Sequence, residues 1–186
     1  MTRFARSRFA LAAGAVALAL AGAVSVVASD AASAGTSGTV HVWVTPGKGA
    51  VDQIMLSGAI GDHGTATSED KNGKVDPNGA YVKVALQQGG FEVNATVFNR
   101  KADSQPPTTE KATCSAWATV SGPVTLYNGT GAYAGISGTV HITTNFAFLA
   151  PRFKSGAKSG QCNMANNATP VAEFDGDIIG SGRISY

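Results

Sequence analysis

Four glycines fall within the ten residues Gly129-Thr130-Gly131-Ala132-Tyr133-Ala134-Gly135-Ile136-Ser137-Gly138. So dense a set excludes a helix interior, where each glycine costs roughly 0.5–1 kcal/mol relative to alanine. It suits positive φ, a bulge or a close backbone approach. Val124-Thr125-Leu126-Tyr127 precedes it as a short β-branched and aromatic run. After it, Val140, Ile142, Phe146 and Phe148 share one face of an extended segment, and His141, Thr143, Asn145 and Ala147 share the other. That period of two predicts a half-buried strand. The stretch from Gly122 to Phe148 therefore reads as strand, tight connection, longer strand, and whatever surrounds it must pair with these two.

The remaining segments carry the same punctuation. Residues 38–45 set Val40, Val42 and Val44 against His41, Trp43 and Thr45. Residues 53–60 form a second strand, with Ile54, Leu56 and Ile60 apart from Met55. Gly61-Asp62-His63-Gly64 is a turn by composition, and residues 63–68 continue as a short strand. Residues 69–78 are charged and carry Asn-Gly and Asp-Pro-Asn-Gly turn signals, so they form a loop. Residues 80–88 and 91–98 flank Gln88-Gly89-Gly90 and predict a hairpin. Residues 100–111, with Pro106-Pro107, are a loop; residues 113–120, with Trp117, a strand; residues 150–169 a long polar loop; residues 171–174 and 177–185 the last strands. No apolar stripe of helical period extends beyond about two turns after residue 35. About eight short, regularly spaced strands predict a sandwich or a barrel, and a barrel removes the exposed edges that a sandwich must blunt.

The motif GTGAYAGISGTV, through Gly129, Thr130, Gly131, Tyr133, Gly135, Gly138 and Val140, resembles the glycine-rich signature of the allene oxide cyclase-like and dirigent-like β-barrels. Val124-Thr125 matches the short strand that the family places before it. The resemblance covers this stretch, and the other strands fit by pattern. It implies an antiparallel barrel of about eight strands with a central cavity, often trimeric. Enzymatic members of the family act on lipid-derived epoxides or guide phenoxy radical coupling. None of the family's catalytic residues aligns onto this chain. The expected fold class is thus all-β, an antiparallel barrel of about eight strands, allene oxide cyclase-like, after an N-terminal signal helix.

Residues 1–34 read as that signal. Arg3, Arg6 and Arg8 form a basic start, residues 9–27 an alanine-rich apolar run, and Ala32-Ser33-Ala34 a small-residue cleavage site. A retained N-terminal anchor is the alternative, since about 18 apolar residues suffice to span. Export places residues 35–186 outside the cell as one barrel domain, with no stable membrane insertion once the signal is removed. The 14 basic and 12 acidic residues lose Arg3, Arg6, Arg8 and Asp30 with the leader, which leaves the remainder formally neutral. A nucleic-acid partner would need a surplus of Lys and Arg and is not expected. Cys114 and Cys162, an even pair in an exported chain, predict a disulfide, with a reactive or metal-binding thiol pair as the alternative.

Chemistry-bearing residues are few. His41, His63 and His141 are the three histidines. Gly35-Thr36-Ser37-Gly38-Thr39-Val40-His41 nearly repeats Gly135-Ile136-Ser137-Gly138-Thr139-Val140-His141, which is either shared turn chemistry or a sign that the two histidines occupy matched faces. There is no G-x-S-x-G elbow, no H-E-x-x-H, no zinc-type Cys/His spacing and no phosphate-binding glycine loop. Asp62-His63 is the catalytic candidate, a carboxylate beside an imidazole able to act as base or bind ligand; the alternative is a turn in which Asp62 bonds its own backbone. Asp175 and Asp177 are turn residues or a loop calcium site. No metal and no cofactor is expected.

Trp43, Trp117, Tyr133, Phe146 and Phe148 are the candidates to line a ligand site, and otherwise they are core. Three functions remain open from the residues. The first is a secreted barrel that binds a small apolar or phenolic ligand. The second is a cyclase or isomerase acting on a lipid-derived or epoxide substrate by positioning. The third is a structural or protein-interaction domain with a filled core. A cavity of about 300 Å³ or more with a few convergent polar groups favours the first two. A homo-oligomer, a trimer by the family resemblance, is the expected assembly.

Overall fold

The computed structural model describes residues 36–47, 49–165 and 168–186. The signal expected over residues 1–34 lies outside the described residues. The elements follow in the order β1 Ser37–Thr45, β2 Val51–Gly58, β3 Asp62–Glu69, β4 Tyr81–Leu86, β5 Gly89–Asn94, α1 Thr96–Ser104, β6 Thr108–Glu110, β7 Ser115–Gly131, β8 Ser137–Leu149 and β9 Ala172–Ser185. Hydrogen-bonded neighbours run β5-β4-β3-β2-β1-β9-β8-β7-β6, and β5 also pairs with β7. All pairings are antiparallel, and the β5–β7 pairing closes an eight-stranded barrel. The short β6 is a fringe on the outer part of β7.

Alternation builds the wall. On β1, Val40 and Val44 are buried while His41, Trp43 and Thr45 are exposed. On β2, Ile54 and Leu56 are buried and Met55 is exposed. On β8, Val140 and Ile142 are buried and His141 is exposed. A one-residue slip would turn every one of these apolar side chains to solvent, so the register is strongly specified. The near-repeat at the starts of β1 and β8 has a structural counterpart. His41 and His141 both face outward, and both stand opposite Ser181 of β9, which lies between the two strands.

Three segments differ from their sequence reading. The strand of residues 113–120 and the run from Val124 to Tyr127 are one 17-residue strand, β7, continuous through Gly122-Pro123. Pro123 is tolerated because β6 covers β7 only up to Trp117 and β5 only from Thr125 onward. Between those points β7 has a strand neighbour on one side alone, which is where a strand proline belongs. Likewise residues 171–174 and 177–185 merge into β9, with a bulge opposite Asn145.

The third difference is a helix. The alternation of residues 91–98 predicts a strand through Phe98 with a loop from Arg100. Instead β5 stops at Asn94, whose Oδ1 accepts the Thr96 backbone N–H at 2.9 Å and the Thr96 hydroxyl. Such an Asx contact offers the backbone an alternative to the ladder. The helix α1 then carries Phe98 into the core and leaves Val97 exposed, the reverse of the strand pattern. Phe98 is its one buried side chain, so no apolar stripe marks the helix in the sequence. It lies over the uncovered part of β7, where a Cβ on Gly122 would stand 3.3 Å from the Phe98 ring, and Gln105 Nε2 donates to the Thr119 carbonyl at 2.9 Å.

Candidate functional site: the lumen and its mouth

The barrel has a blind end and an open end. The glycine-rich connection between β7 and β8 folds across the blind end and drops Tyr133 and Ile136 into it, beside Ile60 and the C-terminal Tyr186. Gly129 is required there because a Cβ would stand 1.7 Å from the Tyr133 carbonyl oxygen. Gly135 turns the chain at φ +83°, a left-handed conformation that costs other residues. The Tyr133 ring meets Phe91 and Tyr186 edge-on, at centroid distances of 6.2 and 5.5 Å. Tyr186 donates its hydroxyl hydrogen to the Ala59 carbonyl at 2.8 Å.

Beneath this plug lies Asp62, the buried charged side chain among the described residues. Its Oδ2 accepts the Tyr133 hydroxyl at 2.6 Å and the Gln88 N–H at 3.0 Å; its Oδ1 accepts the N–H groups of His63 at 2.7 Å and Gln87 at 3.3 Å. Burial works to raise the carboxyl pKa, but the donors, Tyr133 foremost, outweigh it and hold Asp62 below the ordinary carboxylate value. Burial and then the Asp62 carboxylate push the Tyr133 phenol well above its usual range. A carboxylate with four donors and a phenol that keeps its proton form a structural lock, not an acid–base pair.

His63 is not part of that lock. Adjacent strand residues point to opposite faces, so its side chain is exposed while Asp62 is buried, and only its backbone N–H reaches the carboxylate. The carboxylate–imidazole pair expected at Asp62-His63 is therefore not formed.

The open end holds two adjoining cavities. The lumen proper has a volume of about 450 Å³ and is walled by inward residues of the barrel, among them Val40, Ile54, Leu56, Val84, Phe91 and Ile142. Its polar groups, Asp52, Ser68, Asn78, Asn99 and Asp103, lie toward the mouth, on the outer ends of β2 and β3, the following loop and α1. Outside it, a vestibule of about 740 Å³ is bounded by Phe146 and Phe148 of β8, Pro106 and Pro107 after α1, and the β8–β9 loop, including Met164. Val44, Asp52, Ala102, Asp103 and Ile178 line both.

That loop is pinned. Cys114 and Cys162 form a disulfide with a Cα–Cα distance of 5.3 Å, so the thiol alternative gives way to a bridge. Arg152 Nη1 donates to the Gly160 carbonyl at 2.7 Å and Nη2 to the Ala112 carbonyl, and the Ala150 N–H donates to the Cys114 carbonyl at 2.8 Å.

The five aromatic candidates separate. Phe146 and Phe148 line the vestibule, and Tyr133 sits in the blind-end plug. Trp43 and Trp117 are 40% and 47% exposed on the outer face, because Val42 and Val44, and Ala116 and Ala118, hold the inward positions beside them. Neither tryptophan lines the lumen or the vestibule, so the expected place of both in a ligand site is not the one the structure gives them. Trp43 instead joins its cross-strand partners Met55 and Ile179 in an exposed apolar row. Asp175 lines the vestibule and Asp177 does not; no group of three or more His, Cys, Asp or Glu side chains able to hold a metal ion occurs among the described residues. No helix among them is long and apolar enough to cross a membrane.

The mouth residues were not singled out from the sequence. Asp52 shares the inward phase of Ile54 and Leu56, which is the signal that could have found it. Asp103 belongs to the unanticipated helix. No protein-family model matches the chain, and neither the curated proteins nor the solved structures yield a match.

Proposed function

We propose that this protein is an exported barrel that binds a small, largely apolar molecule in its lumen. The observation that carries this reading is the cavity of about 450 Å³, blind at one end, apolar along its walls and polar only toward its mouth. That volume lies within the range of ligand sites, roughly 300–1,000 Å³, and the few polar groups at one end suit orientation of a guest. A barrel of about eight strands is just wide enough either to fill with side chains or to hold one small ligand, and the cavity supports the second. The sequence pattern of residues 1–34 and the disulfide support export. A cyclase or isomerase would need an ionisable group beside its substrate deep in the lumen; Asp62 and Tyr133 do not line the cavity, and Asp52 and Asp103 stand at its mouth.

The same reading makes the chain a distant relative of the allene oxide cyclase-like and dirigent-like barrels, on the glycine signature that closes the blind end. It carries a homotrimer with it. Native mass spectrometry of protein purified from its source tests both parts. A bound small molecule is expected, together with a trimer mass. Bare monomer that also fails to take up octan-1-ol would refute the binding reading. A lumen-filling variant, Ala66→Phe, should lose the bound molecule while keeping its β-sheet circular dichroism.

A further inference from the structure

We infer that the guest is an amphipathic organic cation, an ammonium group on an apolar body, lying tail-first in the lumen with its charged head between Asp52 and Asp103. This rests on the lumen-binding reading above. The cavity supplies the site, and the charges around it select the guest.

The orientation follows from where the polar groups stand. At the blind end the walls are aliphatic and aromatic, and the Asp62 carboxylate below them is occupied by Tyr133 and three backbone N–H groups. A polar head pushed to that end would lose its water and gain no partner, at a cost that burial of a charge makes prohibitive. The head must therefore remain at the mouth.

The sign of the head follows from the residues there. The ionisable side chains that line the two cavities are Asp52, Asp103, Glu173 and Asp175, and no Lys, Arg or His among the described residues lines either one. Asp52 and Asp103 belong to both cavities, so they mark the junction that a guest must cross. Asp52 is half-buried and oriented, its Oδ1 accepting the Gly47 N–H at 3.0 Å. A mouth of one charge sign over low-dielectric walls concentrates ligands of the opposite sign. It also disfavours a carboxylate-headed guest such as a fatty acid, since like charges brought together are repelled. Phe146 and Phe148 add aromatic surface to the vestibule, a surface compatible with a substituted ammonium.

The test compares three guests with one tail: octylammonium, octan-1-ol and octanoate, titrated calorimetrically into the purified full chain at neutral pH. Octylammonium should bind about tenfold more tightly than octan-1-ol, a ratio in keeping with two partly exposed carboxylates, and octanoate most weakly. Raising the salt concentration should weaken octylammonium and leave octan-1-ol unchanged, a measurement that needs no variant. The double variant Asp52→Asn/Asp103→Asn should abolish the salt dependence of octylammonium binding and bring its affinity to that of octan-1-ol measured on the same variant; octylammonium that keeps its advantage of about tenfold there would overturn the charge assignment. Octan-1-ol or octanoate binding as tightly as octylammonium would overturn the charge assignment and leave lumen binding standing. Failure of all three to bind would overturn both.

Discussion

Removing the Tyr133 hydroxyl tests how the blind end is held. In Tyr133→Phe the ring stays, and with it the edge-on contacts to Phe91 and Tyr186. What disappears is a 2.6 Å hydrogen bond to a buried carboxylate. A hydrogen bond to a charged group contributes about 1.5–3 kcal/mol. Tyr133 and Asp62 are only 3% and 7% exposed, so water cannot replace the lost donor. For a domain of this size each kcal/mol moves Tm by about 2–4 °C, and the variant should melt roughly 4–10 °C lower at pH 7. The backbone donors of His63, Gln87 and Gln88 remain, so Asp62 stays ionised at neutral pH, with its pKa moved up toward the ordinary value. Because the folded pKa of Asp62 lies below its unfolded one, its stabilisation is complete above the unfolded value, and it is lost as pH falls through the folded value. The Tm gap between parent and variant should thus be full at pH 7 and shrink below about pH 4, as the carboxyl protonates in both. Scanning calorimetry across that range reads it directly. Equal melting temperatures at pH 7, or a gap that ignores pH, would refute the lock.

Other consequences are equally accessible. The Cys114–Cys162 bridge has a sequence separation of 48, for which loop entropy gives about 4 kcal/mol; Cys114→Ala/Cys162→Ala should lower the urea midpoint accordingly and expose the β8–β9 loop to limited proteolysis. Gly135→Ala meets no atom within 4 Å and should cost only the left-handed backbone, about 1–2 kcal/mol, whereas Gly129→Ala, blocked at 1.7 Å, should cost more or abolish folding; chemical denaturation ranks them. Burial and the neighbouring Glu92 push Tyr127 up to about 12, and Tyr133 is raised as well. The stability linked to them is present below the free-phenol pKa of about 10 and lost as pH rises through the folded values. Ultraviolet titration of the four tyrosines should therefore show a late fraction that ionises only with alkaline unfolding.

Local pattern carried the walls of this barrel and little of its closure. Val40, Val44, Ile54, Leu56, Val140 and Ile142 are buried as their period of two requires, since a half-buried strand leaves that mark on its own residues. The even cysteine pair was equally legible. The β5–β7 pairing that completes the ring sets Glu92 opposite Tyr127, and nothing near either residue encodes the other. The helix α1 escaped because a single buried side chain, Phe98, writes no periodicity, while Asn94 turned the chain at a point that β-branched neighbours disguised. At the site, bulk misled: Trp43 and Trp117 lie on the exposed face of their strands, and Asp52 lines the lumen beside Ile54. Asp62 was visible as a turn residue, but its partner Tyr133 lies 71 positions away.

The cover that α1 lays along β7 makes one panel of the cylinder unlike the others. Everywhere else, parting the staves means breaking a run of backbone hydrogen bonds. Between Trp117 and Thr125 the partition is a short helix, packed inward through Phe98 and Ala102 and joined to its surroundings by the Gln105 and Asn99 side chains, so side-chain packing takes the place of a ladder there. Ala102 and Asp103 on that panel also border the cavity, so the container's wall is helix on one side and sheet on the others.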